Sequence, residues 1–74
     1  MNEQFVICVN NESNPIHLTR YRVYRVIPSK KADKLGLIRL VDDSGEDYAY
    51  PAPMFRPVEL SAEVQEMFAL EVAT

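Results

Sequence analysis

The segment from Asp42 to Val58 limits what this chain can fold into more than any other. It reads Asp42-Asp43-Ser44-Gly45-Glu46-Asp47-Tyr48-Ala49-Tyr50-Pro51 and runs into Ala52-Pro53-Met54-Phe55-Arg56-Pro57-Val58. Gly45 sits among acidic turn residues and can supply the positive φ that a tight hairpin needs. Leu37 to Val41 before the turn and Asp47 to Tyr50 after it are strand-like. Pro51 and Pro53 then make a stiff connector into a strand from Phe55 to Leu60. Pro57 has no amide N–H to donate, so that last strand belongs at a sheet edge. A hairpin, a proline-bounded turn and a closing strand, in that order, predict a small barrel.

The first half supplies the remaining strands. Phe5-Val6-Ile7-Cys8-Val9 is an unbroken apolar run, short and β-branched, which predicts a strand covered on both faces. Asn10 to Pro15 is rich in turn residues and reads as a loop. Arg20 to Ile27 is a strand with ragged alternation, and a bulge is expected in it. Pro28 ends it. Ser29 is placed to cap a helical turn through Leu35, and Gly36 to close that turn in the left-handed conformation. At the far end Ser61 caps a helix over about residues 61–72, with Glu63 and Glu66 near its positive end. Leu60, Val64, Met67, Phe68 and Val72 form one apolar stripe at helical spacing, expected to cap an open end of the barrel or to pack on another chain. The sequence therefore reads as one domain, 1–74, with a barrel over about 4–60 and a C-terminal helix.

The last third resembles SH3 domains. In these a fourth strand ends in an apolar residue and a proline, one turn of 3₁₀ helix follows, and an aromatic residue opens the fifth strand; here these are Tyr50-Pro51, Ala52-Pro53-Met54 and Phe55. The chain is also similar to a group of short, uncharacterised bacterial proteins. The shared segments are Tyr24-Arg25-Val26, Gly36-Leu37-Ile38-Arg39-Leu40-Val41-Asp42 and Ser44-Gly45-Glu46-Asp47-Tyr48-Ala49-Tyr50-Pro51. The resemblance covers most of residues 5–68 and implies a mainly β fold, a five-stranded SH3-like barrel with a C-terminal α-helix. It implies no activity. Peptide-binding SH3 domains grip polyproline between aromatic ridges. This chain has no Trp, carries Leu37 at the start of the third strand, and lacks tyrosines at Val9-Asn10-Asn11, so polyproline binding is not expected.

Composition excludes several classes of function. The 74 residues contain one cysteine and one histidine. A lone Cys8 in an apolar strand forms no disulfide framework and fits a reducing compartment. His17 has no neighbouring ligand in sequence, so no metal is expected. There is no nucleophile–base pair, and no cofactor motif. The N-terminus lacks a basic segment followed by an apolar run, and no stretch approaches the ~20 apolar residues of a membrane span. A cytoplasmic, non-enzymatic protein is expected. The acidic residues Asp42, Asp43, Glu46 and Asp47 lack the spacing of a calcium loop and read as turn residues that are solvated or cap backbone amides.

The net charge of −3 hides a polarity. Residues 1–41 carry seven Lys/Arg against three acids, whereas residues 42–74 carry one Arg against eight acids. Two functions compete. The favoured one is an adaptor for a protein partner, using Tyr48, Tyr50, Pro51, Phe55, Lys30 and Lys31. The alternative is a nucleic-acid- or ribosome-associated factor using Arg20, Arg22, Arg25, Lys34 and Arg39, with Tyr21 and Tyr24 interleaved; an overall acidic chain disfavours it. The oligomeric state is expected to be a monomer or a weak homodimer, since a core this small gains from association.

Overall fold

The computed structural model describes residues 4–73, with side chains described as far as Met67. The order of elements is β1 (Phe5–Cys8), β2 (Val23–Arg25), α1 (Lys30–Lys34), β3 (Leu37–Val41), β4 (Asp47–Pro51), a 3₁₀ turn (Ala52–Met54), β5 (Phe55–Val58) and α2 (Ala62–Ala73). The strands form two small antiparallel sheets. One is three-stranded, β2-β1-β5; the other is the β3–β4 hairpin. Among the described residues they meet at one bridge, Val26 to Leu40, where the Ile27 amide also donates to the Arg39 carbonyl at 2.8 Å. The chain is thus mainly β with a C-terminal helix. Among the described residues the ladders do not close into a continuous barrel.

β1 is central to its sheet. Val6 faces Tyr24 on one side and Pro57 on the other, and Cys8 faces Phe55. The period of two puts Val6 and Cys8 toward the main core and Phe5 and Ile7 toward the opposite face. Phe5, Val6 and Cys8 are all buried, so both faces of β1 are covered at Phe5 and Val6, as the unbroken apolar run predicts. β5 occupies an edge of the sheet, the place that Pro57 requires. It ends at Val58, two residues short of the predicted Leu60.

β2 is much shorter than Arg20–Ile27. The Tyr21 amide donates to the Cys8 carbonyl at 2.6 Å and the Cys8 amide to the Arg22 carbonyl at 3.0 Å. Two residues, Tyr21 and Arg22, therefore oppose one. This is a bulge, and it delays the regular ladder until Val23. Tyr21 takes a left-handed conformation with φ of 70°, the position at which such a bulge commonly carries glycine.

The core joins the sheets through Val6, Cys8, Leu18, Tyr24, Leu40, Tyr50, Met54 and Phe55, with Val26 and Ile38 packed against it. Leu18 comes from the long loop after β1 and is fully buried. Tyr24 and Tyr50 pack edge-on against Phe55 at centroid distances of 6.5 and 6.3 Å. The 3₁₀ turn is fastened to the exit of β1, because the Val9 and Asn10 amides both donate to the Met54 carbonyl.

The predicted caps form. Ser29 Oγ accepts from the Ala32 amide at 3.1 Å and Gly36 has φ of 70° after α1. Ser61 Oγ accepts from the Val64 amide at 3.2 Å at the start of α2. The stripe on α2 is different from its expected capping role. Val64 and Met67 are exposed, at 37% and 56%, so neither seals the core; Phe68 and Val72 lie outside the described side chains. No helix among the described residues is long and apolar enough to cross a membrane.

Candidate partner-binding groove

The hairpin β3–β4 has a covered face and an open one. Its register pairs Ile38 with Tyr50, Arg39 with Ala49 and Leu40 with Tyr48. Alternation sends Ile38, Leu40 and Tyr50 to the core side, with Tyr48 at the exposed rim of that face, and Leu37, Arg39, Val41, Asp47 and Ala49 to the other. Gly45 turns the chain with φ of 86° and donates its amide to the Asp42 carbonyl at 3.0 Å.

α1 lies against the outer face of β3. Ser29, Lys31, Ala32 and Leu35 on one side, and Leu37, Arg39, Asp47, Tyr48 and Ala49 on the other, line an open groove of about 300 Å³. Ala32 is buried at its edge, while Leu35 is 64% exposed. The Arg39 guanidinium is paired with the Asp47 carboxylate in the groove wall. That pairing holds the Asp47 carboxyl below its ordinary range, through the hydrogen bond first and charge attraction second. The lining thus combines apolar surface, one lysine and an internally neutralised ion pair. Such a surface can take up a partner side chain of apolar character with an anionic neighbour.

The side chains proposed for partner binding divide. Lys30 and Lys31 are exposed on α1, and Pro51 is exposed at the end of β4. Tyr48 is 63% exposed, with its ring 5.5 Å from that of Tyr50. Tyr50 and Phe55 are core residues, each 3% exposed, and their side chains are removed from any binding surface. The reason is local. Tyr50 pairs with Ile38 on the inward face, and Phe55 opens β5 opposite Cys8. Leu35 and Leu37 were not named as binding residues from the sequence, where Leu35 reads only as the end of the turn capped by Ser29 and Leu37 only as the start of the third strand.

The cationic set falls on separate elements. Arg39 is committed to Asp47 and Arg22 to Asp43 at 3.1 Å. Lys34 is exposed on α1, Arg25 is half-buried on β2, and Arg20 is exposed on the loop, with its guanidinium 4.7 Å above the Tyr21 ring.

The acidic turn is a structural junction. Asp42 is buried at 7% exposure. Its Oδ1 accepts from the Ser44 amide at 2.9 Å and from the Ser44 hydroxyl, and its Oδ2 accepts from the Tyr50 hydroxyl at 2.6 Å. Burial opposes its charge, but the hydrogen bonds from Ser44 and Tyr50 outweigh that and hold its carboxyl below the ordinary range. Burial, then the bond to Asp42, pushes the Tyr50 phenol well up. Asp43 accepts from the Tyr24 hydroxyl at 2.8 Å and the Thr19 hydroxyl at 2.7 Å, and its amide donates to the His17 carbonyl. The two aspartates therefore fasten the hairpin to the core and to the first loop. Among the described residues no three His, Cys, Asp or Glu side chains gather as a metal site. Cys8 is fully buried, and that burial pushes its thiol up, away from the reactive thiolate.

No protein-family model, curated protein or solved structure matches this chain.

Proposed function

We propose that this chain is a non-catalytic adaptor of SH3-like architecture that binds a protein partner in the groove between α1 and the outer face of β3–β4. The observation that carries this reading is the groove itself. It pairs an exposed Leu35 with the outward-facing Leu37 and Ala49, away from the residues that build the core. Apolar surface in a concavity with a polar rim is what interfaces present. The architectural part of the reading draws on the order of ladders. β5, β1 and β2 are hydrogen-bonded in sequence, β2 reaches β3 through one bridge, β3 pairs with β4, and a 3₁₀ turn joins β4 to β5. That analogy suggests a binding module without naming its ligand. In this reading Lys31 and Lys30 steer an acidic partner and Tyr48 borders the contact.

The test is capture from the native cell with nuclease present, using the intact chain beside Leu35→Ser and Lys31→Glu variants. Both positions are exposed, so both variants fold. A stoichiometric protein held by the intact chain and lost from both variants supports the groove. A protein held equally by all three, or none held by any, overturns it.

A further inference from the structure

The bulge at Tyr21 places an aromatic ring where ordinary chain economy would place glycine. A left-handed backbone at a non-glycine residue is costly and is retained where surrounding structure enforces it, often at a functional site. Tyr21 gains no burial in return, being 62% exposed. Its amide is held by the Cys8 carbonyl, so the ring is presented from a fixed base. The Arg20 guanidinium lies over that ring.

Arg20 is also one wall of a second concavity. Val9, Asn10, Asn11, Glu12 and Arg20 enclose about 120 Å³ of mainly polar character. Its frame is ordered. Asn10 Oδ1 accepts from the Glu12 amide at 2.9 Å, and Asn11 Nδ2 donates to the Leu18 carbonyl at 3.0 Å. With those two atoms engaged, the cleft offers Asn10 Nδ2, Asn11 Oδ1 and the Glu12 carboxylate to the edge of a heterocycle, beside a stacked aromatic–guanidinium pair suited to its face. Arg22 follows two residues after Arg20 and adds positive charge, although it is shared with Asp43.

We propose that the Arg20–Tyr21 stack and the adjoining cleft at Asn10–Glu12 bind an unstacked base of a single-stranded nucleic acid. Tyr21 supplies the stacking face, Arg20 charge and stacking together, and Asn10 a base-edge contact. Single strands suit this arrangement because their bases are available to aromatic side chains, whereas a duplex hides them. The site is separate from the α1–β3–β4 groove, so the two readings stand or fall independently.

The experiment is fluorescence anisotropy at low salt with labelled single-stranded RNA and DNA of about 12 nucleotides, the size range one small barrel covers. A duplex of the same sequence serves as competitor. The intact chain is compared with Tyr21→Gly, Tyr21→Phe and Arg20→Glu. Glycine accepts the left-handed backbone, so Tyr21→Gly removes the ring without straining the fold, and a melting curve checks this. We expect binding that weakens with salt, a loss of roughly tenfold in Tyr21→Gly and Arg20→Glu, and retention in Tyr21→Phe. RNA and DNA bound equally assign the contact to base and phosphate; RNA alone adds the 2′-hydroxyl. Binding to neither oligonucleotide, binding unchanged in Tyr21→Gly, or preference for the duplex overturns the proposal.

Discussion

The two sheets treat their faces differently. β1 lies between two partners, with buried residues on both faces, Val6 and Cys8 on one and Phe5 on the other. The β3–β4 hairpin buries Leu40 and Tyr50 on one face and leaves Arg39, Val41 and Asp47 exposed on the other. The contrast is written in the residues: Phe5-Val6-Ile7-Cys8 has no polar member, while Arg39 and Asp47 interrupt the hairpin at alternate outward positions. A strand with no polar side has no surface left to present. A strand with one can hold the fold with one face and recognise a partner with the other, and the groove forms on that free side.

The largest expected effect separates the faces of β3. Leu40 is fully buried, and Leu40→Ala should cost about 2–5 kcal/mol through lost burial and the cavity left behind. Leu37, three residues earlier and on the outward face, should cost far less on the same change. Denaturant titration of both variants reads the difference directly. Equal losses would mean that the outer face is as tightly packed as the core, and the groove would lose its claim to be a binding surface.

Next in size is the hydroxyl network beneath the hairpin. Tyr50→Phe leaves one oxygen of the buried Asp42 carboxylate without its protein donor and should cost about 1–3 kcal/mol. The pH dependence follows from the shifts at the two ends of this bond. The Asp42 carboxyl is lowered in the fold, so its contribution is present above the ordinary value of about 3.9 and is lost as pH falls through the depressed folded value. The Tyr50 and Tyr24 phenols are raised, so the folded state holds their protons more tightly; their contribution is present below about 10 and is lost as pH rises toward the folded values. Stability should therefore form a plateau that falls at both ends. Tyr50→Phe should weaken both falls, and an unaltered profile would remove Asp42–Tyr50 as its source.

Tyr21 tests a different economy. Tyr21→Gly should raise stability by about 1 kcal/mol, because glycine takes a left-handed φ without the Cβ clash, offset in part by its freer unfolded chain. A fall in melting temperature would mean that the exposed ring supports the fold after all.

How much of this was legible follows from which interactions are local. The Ser29 and Ser61 caps, the turn at Gly45 and the edge position of β5 each depend on a residue and its near neighbours, and each was readable. The continuous run at β1 announced its own burial. The inward turn of Tyr50 and Phe55 was not readable, because a Tyr-Pro and a Phe after a 3₁₀ turn look alike in a core and in a ligand groove; only the register with Ile38 and Cys8 decides. Nor was the fate of the acidic turn. Asp42 and Asp43 read as turn residues that are solvated or cap backbone amides; the cap forms at the Ser44 amide, but the bonds from Tyr50 and Tyr24 appear only when those residues are brought over them. The left-handed Tyr21 gave no signal beyond a ragged alternation, since the rule for such a position names glycine.

The smallest expected effect is at the outer wall of the groove. Arg39 and Asp47 are joined across the hairpin, with Nε and Nη2 both donating to Asp47 Oδ2, yet both side chains remain nearly half exposed. Water competes for each charge, and salt screens what is left. The lowered Asp47 carboxyl therefore reports a strong local preference for the charged form without a matching share of stability. Asp47→Asn should shift the unfolding midpoint least of all the changes considered, and the shift should vanish at high ionic strength. Should it instead rival Tyr50→Phe, the outer face would have to be as dry as the inner one, and the difference between the two faces of the hairpin would collapse. A small, salt-erased shift leaves Arg39 free to exchange Asp47 for an acidic partner at little cost to the fold, which is the property a recognition wall needs.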